Sequence, residues 1–513
     1  MNGPWRSLWW KEWREHRWMI VALTSAFIIL PSLAVLQTQT HPLEIWFVST
    51  AFGVCCASLF LGMKAAADEH ASGTVRFLQA LPVSMTAPAT VKLVLAAATV
   101  VVPVLVLAAA ASFIEGRTDD AWLRTLYLAP AQSAAWGLPQ RVLGLAMCAA
   151  AGAVSLLIWM AAAGVNRSDE VRAAAVGIAA IVGWYCLHAV AYYALGVTDA
   201  RNTVNTTVIW LGPGGPGIGS FGQDGRSPPA GLVAWLASHW PFLAASAASH
   251  GLLVAWYLTR YARQAPTRHS HGEPQATRRV AAAPDVWPGR PRRSPLTAIL
   301  WQQTRQSAPL AAIGAATIAG FAAWWTSTSN LYARRDFQEG WVEMTIQFTM
   351  MIGVLVAVVA GVGVFLDDLK PGIHGFWRSR PVDLRQWFAV KVLGGLLVTL
   401  GILALPAAGA LAMAPAHAWV WQDLPFGIYL LATGIGGAFL AGVLAMLLLR
   451  RPIFAGLGGL AGFGATSGVL FGLCDWLAIA ERSVGATFVT LSALLLAAGA
   501  AWTALKHDWG WKT

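Results

Sequence analysis

The sequence predicts an all-α polytopic membrane protein with about twelve transmembrane helices. Of its 513 residues, 57% are hydrophobic and only 12% are charged, and the mean hydropathy is +0.57. A soluble protein carries about 25% charged residues, so this chain has too few to cover a globule. Apolar runs of about 20 residues, the length that crosses a bilayer as a helix, recur along it without the alternation of barrel strands. These observations exclude a soluble enzyme, a disordered chain and a fibrous protein.

The distribution of basic residues predicts the orientation of the chain. An even number of spans places both termini on one side of the membrane, and that side then holds 27 of the 35 Lys and Arg residues. Cytoplasmic segments carry an excess of such residues, so we expect both termini in the cytoplasm of a multi-pass protein of the cell membrane. The spans are predicted at 18–37, 44–66, 90–113, 141–163, 173–195, 232–258, 309–326, 344–366, 388–413, 426–449, 453–474 and 485–505.

These spans divide the chain into two six-span halves, 1–258 and 299–513, joined by a linker. The linker, 259–298, carries eight arginines among Pro, Ala, His and Ser, which is typical of a flexible basic cytoplasmic segment. Basic segments beside a membrane mostly meet anionic lipid, so we expect membrane lipids and no nucleic acid as partners. On the predicted outer side, segment 211–219 is expected to be non-helical, because Gly and Pro at this density leave no helical register.

An internal repeat relates the two halves. A shift of 299 residues aligns 62–92 with 361–391 without a gap, and a shift of 291 aligns the preceding helix. Since each half crosses the membrane an even number of times, the repeats are expected to be parallel and related by an axis along the membrane normal. The aligned pairs are Gly62 with Gly361, Asp68 with Asp367, Glu69 with Asp368, Gly73 with Gly372, Phe77 with Phe376, Pro82 with Pro381, Val83 with Val382, Lys92 with Lys391, Trp10 with Trp301 and Arg14 with Arg305.

Each half begins with an amphipathic segment ahead of its first span. Trp5, Trp9 and Trp13 fall on one face by their spacing of four residues. Leu8 shares that face, and charged residues occupy the remainder. We predict a helix in the membrane interface, with a less charged counterpart that starts at Pro295. One interpretation makes both helices lipid anchors alone, and the other adds packing on a cytosolic partner. The residues assigned to these helices are Trp5, Trp9, Trp10, Lys11, Trp13, Arg14, Trp301 and Arg305.

Each half also carries a short cytoplasmic loop between its second and third spans. In the first loop Gly73 permits a turn after an acidic helix end, and Pro82 stops a short segment that presents apolar side chains. Such a segment can transmit a push from a soluble partner to two spans, whereas the alternative is a solvated turn that only joins them. The residues assigned to this coupling site are Asp68, Glu69, Gly73, Thr74, Arg76, Leu78, Leu81 and Pro82, and in the second loop Asp367, Asp368, Gly372, Phe376, Arg378 and Pro381.

The residues of these two features resemble a known family. Residues 10–14 read Trp-Lys-Glu-Trp-Arg, and 68–84 reads Asp-Glu-x-x-x-Gly-Thr-x-x-x-Leu-x-x-Leu-Pro-Val-Ser. This combination resembles the ABC-2 type permease family of ATP-driven exporters. The resemblance implies that the first segment is an interfacial connecting helix and that the loop is a coupling helix docked on a nucleotide-binding ATPase. The second copy departs from the pattern at Ile373 and Arg380, so docking there is expected to differ.

The resemblance further implies a transporter whose ATPase is a separate polypeptide. The chain has no G-x-x-x-x-G-K-[ST] loop, and its Gly-x-Lys-Thr at 510–513 lacks the preceding glycine and a following helix. We therefore expect no ATP hydrolysis and no cofactor, metal or catalytic residue on this chain. Two copies of an ABC ATPase subunit, one beneath each loop, would bind ATP and magnesium. Two fused halves suggest that one copy of the chain makes the whole pore, in a bacterial cell membrane.

Two other classes of protein are compatible with the sequence. An ion-coupled secondary transporter carries ionisable side chains inside the membrane, and His188 is the main candidate near the centre of a predicted span. A membrane-embedded enzyme would need a site such as Asp367 and Asp368 with His374, which acidic helix ends in a coupling loop explain more simply. An apolar pore without fixed charges would suit a lipid, a peptide or a hydrophobic drug. The direction of transport follows from the resemblance alone.

Overall fold

The structure, a computed structural model, arranges the chain as a bundle of long helices. The described residues are 4–37, 42–72, 84–115, 138–167, 170–194, 207–215, 232–263, 294–328, 337–366, 368–369, 383–414, 424–476 and 484–507. Every long element among them is an α-helix. The helices are α1 (Pro4–Gln37), α2 (Pro42–Ser72), α3 (Thr86–Glu115), α4 (Leu138–Gly164), α5 (Glu170–Ala194), α6 (Leu232–Ala262), α7 (Pro295–Thr328), α8 (Phe337–Leu366), α9 (Leu384–Ala412), α10 (Leu424–Leu449), α11 (Pro452–Trp476) and α12 (Val484–His507).

Each predicted span coincides with one of these helices, and none extends more than one residue beyond its helix. Within the described ranges, eight helices are long and apolar enough to cross a membrane: α3, α4, α6, α7, α8, α9, α10 and α12. Shorter apolar stretches occupy 53–67 of α2 and 172–188 of α5. The chain is therefore an all-helical, multi-pass membrane protein, and the predicted class is confirmed. The number of twelve spans stays a prediction.

The first helix of each predicted half is longer than a membrane crossing requires. α1 and α7 each have 34 residues, or about 51 Å at 1.5 Å per residue, whereas about 20 residues cross the hydrocarbon core. Each begins at a proline. The first turn accepts proline because the backbone N–H that proline lacks would have no partner within the helix at this position. The predicted interfacial segment and the first span thus form one continuous helix in each half. Placement of that segment at the membrane interface stays a prediction.

The bundle buries four equivalent positions on each of α1 and α7. On each helix these buried residues are separated by four, four and three positions, so they form a single stripe along it. The tryptophans of the N-terminal segment lie off this stripe, since Trp10 is 61% exposed and Trp301, its aligned partner, is 53% exposed. Polar side chains therefore enter the bundle from both helices. The buried residues are Leu8, Glu12, His16 and Met19 on α1, and Ile299, Gln303, Ser307 and Leu310 on α7, each 291 residues later.

The first six helices and the last six pack in the same pattern. In each set the first helix contacts the second and third, the second contacts the third, fourth and fifth, and the fourth contacts the third, fifth and sixth. Between the sets, α5 contacts α7 and α11 contacts α1. The fifth helix of each set thus meets the first helix of the other, which is the exchange that a two-fold axis produces.

Glycine allows the second and fourth helices of each set to approach closely. A Cβ at Gly62 of α2 would lie 2.5 Å from the Met160 Cβ and 2.9 Å from the Leu157 carbonyl oxygen on α4. A Cβ at Gly361 of α8 would collide with the Phe439 carbonyl oxygen on α10. The two glycines are aligned by the repeat, and at both positions a side chain would separate the helices.

We expect Gly361→Ala to lower the free energy of unfolding by about 1–3 kcal/mol, because the added methyl group overpacks against backbone that cannot move alone. Gly363→Ala is the matched control on the same helix, since no atom lies within 4 Å of the position its Cβ would take. Alanine there should be neutral or slightly stabilising through its higher helix propensity. Thermal unfolding of the detergent-solubilised protein measures both variants, and equal melting temperatures would contradict the close contact.

Candidate functional site

A cluster of buried charges joins the first three helices. The Nζ of Lys92, early in α3, lies 2.9 Å from Oε1 of Glu69 near the end of α2 and 3.5 Å from Oε1 of Glu12 on α1. The Nζ of Lys11 lies 3.1 Å from the same oxygen of Glu69 and 3.6 Å from that of Glu12. Glu12, Glu69 and Lys92 are at most 4% exposed. We call these four residues the first ion cluster, and it lies inside the protein.

The charges of the first ion cluster balance, with two lysines beside two glutamates. Burial lowers the pKa of Lys11, but the carboxylates of Glu69 and Glu12 raise it, and the resulting pKa lies above the usual value. Its ammonium group therefore stays protonated. Moving an ion out of water costs several kcal/mol unless partners of opposite charge are well placed. Here each carboxylate has two lysines within ion-pair distance.

Two further contacts hold α2 near the first ion cluster. The Nζ of Lys64 on α2 donates a hydrogen bond of 2.8 Å to Oε2 of Glu15 on α1. The hydroxyl of Tyr257 on α6 donates a hydrogen bond of 2.8 Å to the carbonyl oxygen of Ala65. The end of α2 is thus fixed by polar contacts to α1, α3 and α6.

A buried ion pair occupies the corresponding place in the second set of helices. Lys391 on α9 pairs with the carboxylate of Asp368, which follows α8, and its Nζ also donates to the carbonyl oxygen of Val364 at 3.3 Å. The two charged residues are at most 2% exposed. The ring centroids of Phe365 and Trp387 lie 5.8 and 5.3 Å from the Nζ, within the range of a cation–π contact. We call Asp368 and Lys391 the second ion pair.

The repeat aligns the two sites residue by residue. Glu69 is aligned with Asp368, and Lys92 with Lys391, so the acid and the lysine are 23 residues apart in both cases. Each pair connects the end of the second helix of a set to the beginning of the third. Both pairs therefore close the base of a predicted coupling loop.

Neutral residues replace the other two charges of the first ion cluster in the second set. Gln302 and Gln303 stand 291 residues after Lys11 and Glu12. Gln303 is fully buried, and its Nε2 donates a hydrogen bond of 2.8 Å to Oγ of Ser307. One negative and one positive charge are thus lost together, and both sites remain electrically neutral.

The structure places part of the predicted coupling site. Glu69 and Asp368 are buried in ion pairs, so these two carboxylates face the protein interior and not a docking surface. Asp68 lies in the last turns of α2. The loop's role in coupling stays a prediction. Outside the described residues lie Gly73, Thr74, Arg76, Leu78, Leu81, Pro82, Asp367, Gly372, Phe376, Arg378 and Pro381.

The residues assigned to the interfacial helices are all described. Lys11 belongs to the first ion cluster while its side chain stays 43% exposed. Trp9 is half-buried. The remaining residues, Trp5, Trp10, Trp13, Arg14, Trp301 and Arg305, are exposed.

The sequence prediction omits three of the buried charges from the site, namely Glu12, Lys92 and Lys391. Two lysines aligned by the repeat, each at the same distance from an aligned acid, are a signal that would have found both pairs. Glu12 lies on the same stripe as Leu8 and His16, at the spacing of a buried helix face. A charged residue on such a stripe indicates a buried partner.

Among the described residues, no group of three or more His, Cys, Asp and Glu side chains is placed to hold a metal ion. Of the acids and histidine considered for a metal site, Asp368 is paired with Lys391. Asp367 and His374 lie outside the described residues. The described cysteines are free thiols: Cys55, Cys56, Cys148 and Cys186.

No protein-family model matches the chain, and no curated protein matches it significantly. The class of protein is therefore defined by the fold and the site. It is an all-helical, multi-pass membrane protein with a buried ion site where α2 leads to α3 and a second where α8 leads to α9.

We expect Lys391→Met to destabilise the protein by about 3–5 kcal/mol, because it leaves the buried carboxylate of Asp368 without a counter-charge. The double variant Asp368→Asn, Lys391→Met should regain most of this loss, since no net charge remains buried. Lys506→Met removes an exposed lysine and serves as the control. The measurement is chemical unfolding in detergent, and a single variant as stable as the control would contradict the buried pair.

Gln303→Glu tests the charge balance of the second site. We expect it to destabilise the protein by about 3 kcal/mol, because it adds a buried negative charge at the position aligned with Glu12, while the aligned lysine is absent. Adding Gln302→Lys, which recreates the residues of the first ion cluster, should reverse part of that loss. Unfolding of the single and double variants is compared with that of Gln302→Lys alone. If the lysine gives no recovery, the two sites do not correspond as the alignment indicates.

Proposed function

We propose that the chain is the membrane-spanning permease subunit of an ATP-driven ABC transporter of the ABC-2 type, working as an exporter. Two copies of a separate ATPase subunit would bind ATP and magnesium and dock on the loops at 68–84 and 367–383. The chain itself would hold no cofactor and no catalytic residue. One copy, made of two duplicated six-span halves, would form the whole pore in a bacterial cell membrane, with both termini in the cytoplasm.

The observation that carries this proposal is the recurrence of a buried ion pair at the base of both loops. The pairs Glu69–Lys92 and Asp368–Lys391 each tie two helix ends together over the same length of chain. A solvated turn has no need of buried charges, whose desolvation is costly. A loop that receives a push needs fixed ends, because otherwise the force would deform the loop instead of moving the helices.

The duplication is supported by the packing of the two sets of helices. Gly62 and Gly361, aligned by the repeat, both lie against the fourth helix of their set. The stripe of buried residues on α1 recurs on α7. The contacts of α5 with α7 and of α11 with α1 are the crosswise pair expected of two halves around one axis.

The first ion cluster offers a route by which a displaced loop would move several helices. Lys92 lies within ion-pair distance of carboxylates on both α1 and α2. A push on loop 68–84 would therefore move α1, α2 and α3 together. Because α1 contacts α11 of the other set, this movement would shift one half against the other. Such a shift changes the side from which a pathway between the halves is open.

Coupling to an ATPase can be tested within the loops, at residues other than those of the buried ion sites. Leu81→Asp and Phe376→Asp place a charge in the first and second loop and leave both ion pairs intact. The wild-type chain, purified from membranes of its source organism, should carry Mg²⁺-dependent ATPase activity on a second polypeptide. We expect the activity that co-purifies with each variant to be lower by at least about tenfold, because the loss of one apolar anchor weakens an interface by that factor.

Gln223→Asp is the matched control, because it adds the same charge to the predicted outer loop and should retain the activity. Only variants that unfold at the same temperature as the wild type are compared, so that a loss of activity does not reflect misfolding. Retention of the ATPase by both loop variants would contradict the coupling assignment. Transport that stops when the proton gradient is dissipated at constant ATP would favour an ion-coupled carrier. A stoichiometric divalent metal on the purified chain would favour an enzyme.

A further inference from the structure

A short segment enters the interior of the first six helices. Residues 207–211 form a helical turn, 212–214 form a bend and a turn, and residues 212–215 are all buried. The non-helical backbone predicted for 211–219 is confirmed for 212–214, where Gly214 has a φ of 74°, and is wrong for Leu211 and Gly215, which are helical; 216–219 lie outside the described residues. At membrane depth, such backbone is tolerated only where protein or a water-filled cavity surrounds it. We call residues 207–215 the inserted segment.

Side chains of the surrounding helices bond to the backbone of the inserted segment. The hydroxyl of Tyr185 on α5 donates a hydrogen bond of 2.6 Å to the carbonyl oxygen of Pro213. The indole N–H of Trp184 donates to the carbonyl oxygen of Val208 at 3.2 Å. The amide N–H of Gly214 donates to Oγ of Ser155 on α4 at 2.9 Å. The position of the segment therefore depends on a few specific hydrogen bonds.

Ser155 also bonds to a histidine at the same depth. Its Oγ lies 2.6 Å from Nε2 of His250 on α6, and Nδ1 of that ring lies 2.7 Å from the carbonyl oxygen of Ser246. A carbonyl only accepts, so Nδ1 carries the proton and Nε2 of the neutral ring accepts the Ser155 hydroxyl proton. Ser155 is near the middle of one candidate span and His250 near the middle of another.

No described charged side chain interacts with His250. Its Nε2 accepts from the Ser155 hydroxyl, its Nδ1 donates to the Ser246 carbonyl oxygen with the Ser249 hydroxyl 3.2 Å away, and the ring is surrounded by apolar helices. An ionisable residue at this depth is costly to keep, which indicates a function. The titratable side chains described on the elements packed around it are Lys92 on α3, Cys148 on α4, and His239, Tyr257, Arg260 and Tyr261 on α6.

We propose that His250, Ser155 and the amide of Gly214 form a proton-binding site that controls whether the inserted segment stays seated between the helices. The ligand is the proton, and the acceptor atom is Nε2 of His250. Nothing in this inference depends on ATP-driven transport, so it stands or fails separately from the proposed function.

Protonation changes the role of His250 from acceptor to donor. The Ser155 hydroxyl then has to turn its proton away, and the nearest described acceptor is the Gly212 carbonyl oxygen at 3.3 Å. The imidazolium would also be a buried charge without a counter-charge among the described residues. The first change keeps Ser155 bonded to the inserted segment, so it is the cost of the buried charge that favours a state in which the segment moves out and water reaches the ring. Acid should therefore release the segment, and neutral pH should seat it.

Amide hydrogen exchange of 207–215 in the purified full chain tests this directly. Exchange is compared at about pH 5.5 and about pH 7.5, on either side of the ordinary histidine pKa of about 6.5, after correction for intrinsic rates. We expect protection in the wild type to fall about tenfold at the lower pH, because one linked proton changes an opening equilibrium by up to tenfold per pH unit. Equal protection at both pH values would overturn the proposal.

Two histidine variants separate this site from other causes. His250→Gln keeps a hydrogen-bonding side chain that does not titrate, and should make protection independent of pH. His239→Gln is the matched control on the same helix, with a ring centroid 6.1 Å from that of Trp210 in the inserted segment, and should keep the wild-type dependence. Persistence of the dependence in His250→Gln, or its loss in His239→Gln, would overturn the assignment.

Ser155→Ala provides an independent route if His250→Gln does not fold. It leaves the histidine in place but removes the hydroxyl that bonds both to the ring and to the amide of Gly214. We expect low protection of 207–215 at both pH values. A wild-type pH dependence in Ser155→Ala would show that the hydroxyl does not link the ring to the segment, and would overturn the proposal.

Discussion

A charge buried among apolar helices has to meet an opposite charge within the protein, and this requirement fixes how the helices of this chain are joined. Lys92 lies between carboxylates on two other helices, so α1, α2 and α3 are held in one register. Apolar contacts alone would let these helices slide past one another at little cost, since side chains of similar size can exchange partners. A buried charge has no such replacement outside its cluster, because a displacement that separates it from the opposite charges leaves it unpaired.

The two ion sites reach neutrality with different numbers of charges, and this difference affects their mechanics. The first ion cluster links three helices through four charged residues, whereas the second ion pair links the region after α8 to α9. On α7 the buried Gln303 bonds to Ser307 of its own helix. The first helix of the second set is therefore held by packing and not by a shared charge.

The apolar runs and the repeat were sufficient to predict much of the architecture. Continuous hydrophobic stretches located the twelve long helices of the described residues, because a span must satisfy its backbone internally and be apolar along its length. The fixed offset also aligned Glu69 with Asp368, and both acids are paired with a lysine 23 residues later. Glu12 was harder to assign, since its neighbours on the chain are exposed and only its stripe is buried. Ser155 and His250 are 95 residues apart, and no local spacing brings them together.

The acid and the lysine are 23 residues apart in the sequence at both sites, and this fixes the ends of each loop independently of the residues within it. Between Asp368 and Lys391, as between Glu69 and Lys92, the ends of the intervening chain are held at contact distance whatever residues lie between them. Differences within the loops, such as Ile373 or Arg380 in place of Thr74 or Leu81, leave these two pairs of residues unchanged. The loop sequences are therefore free to diversify, one independently of the other, while the helices that carry the pairs keep a common construction.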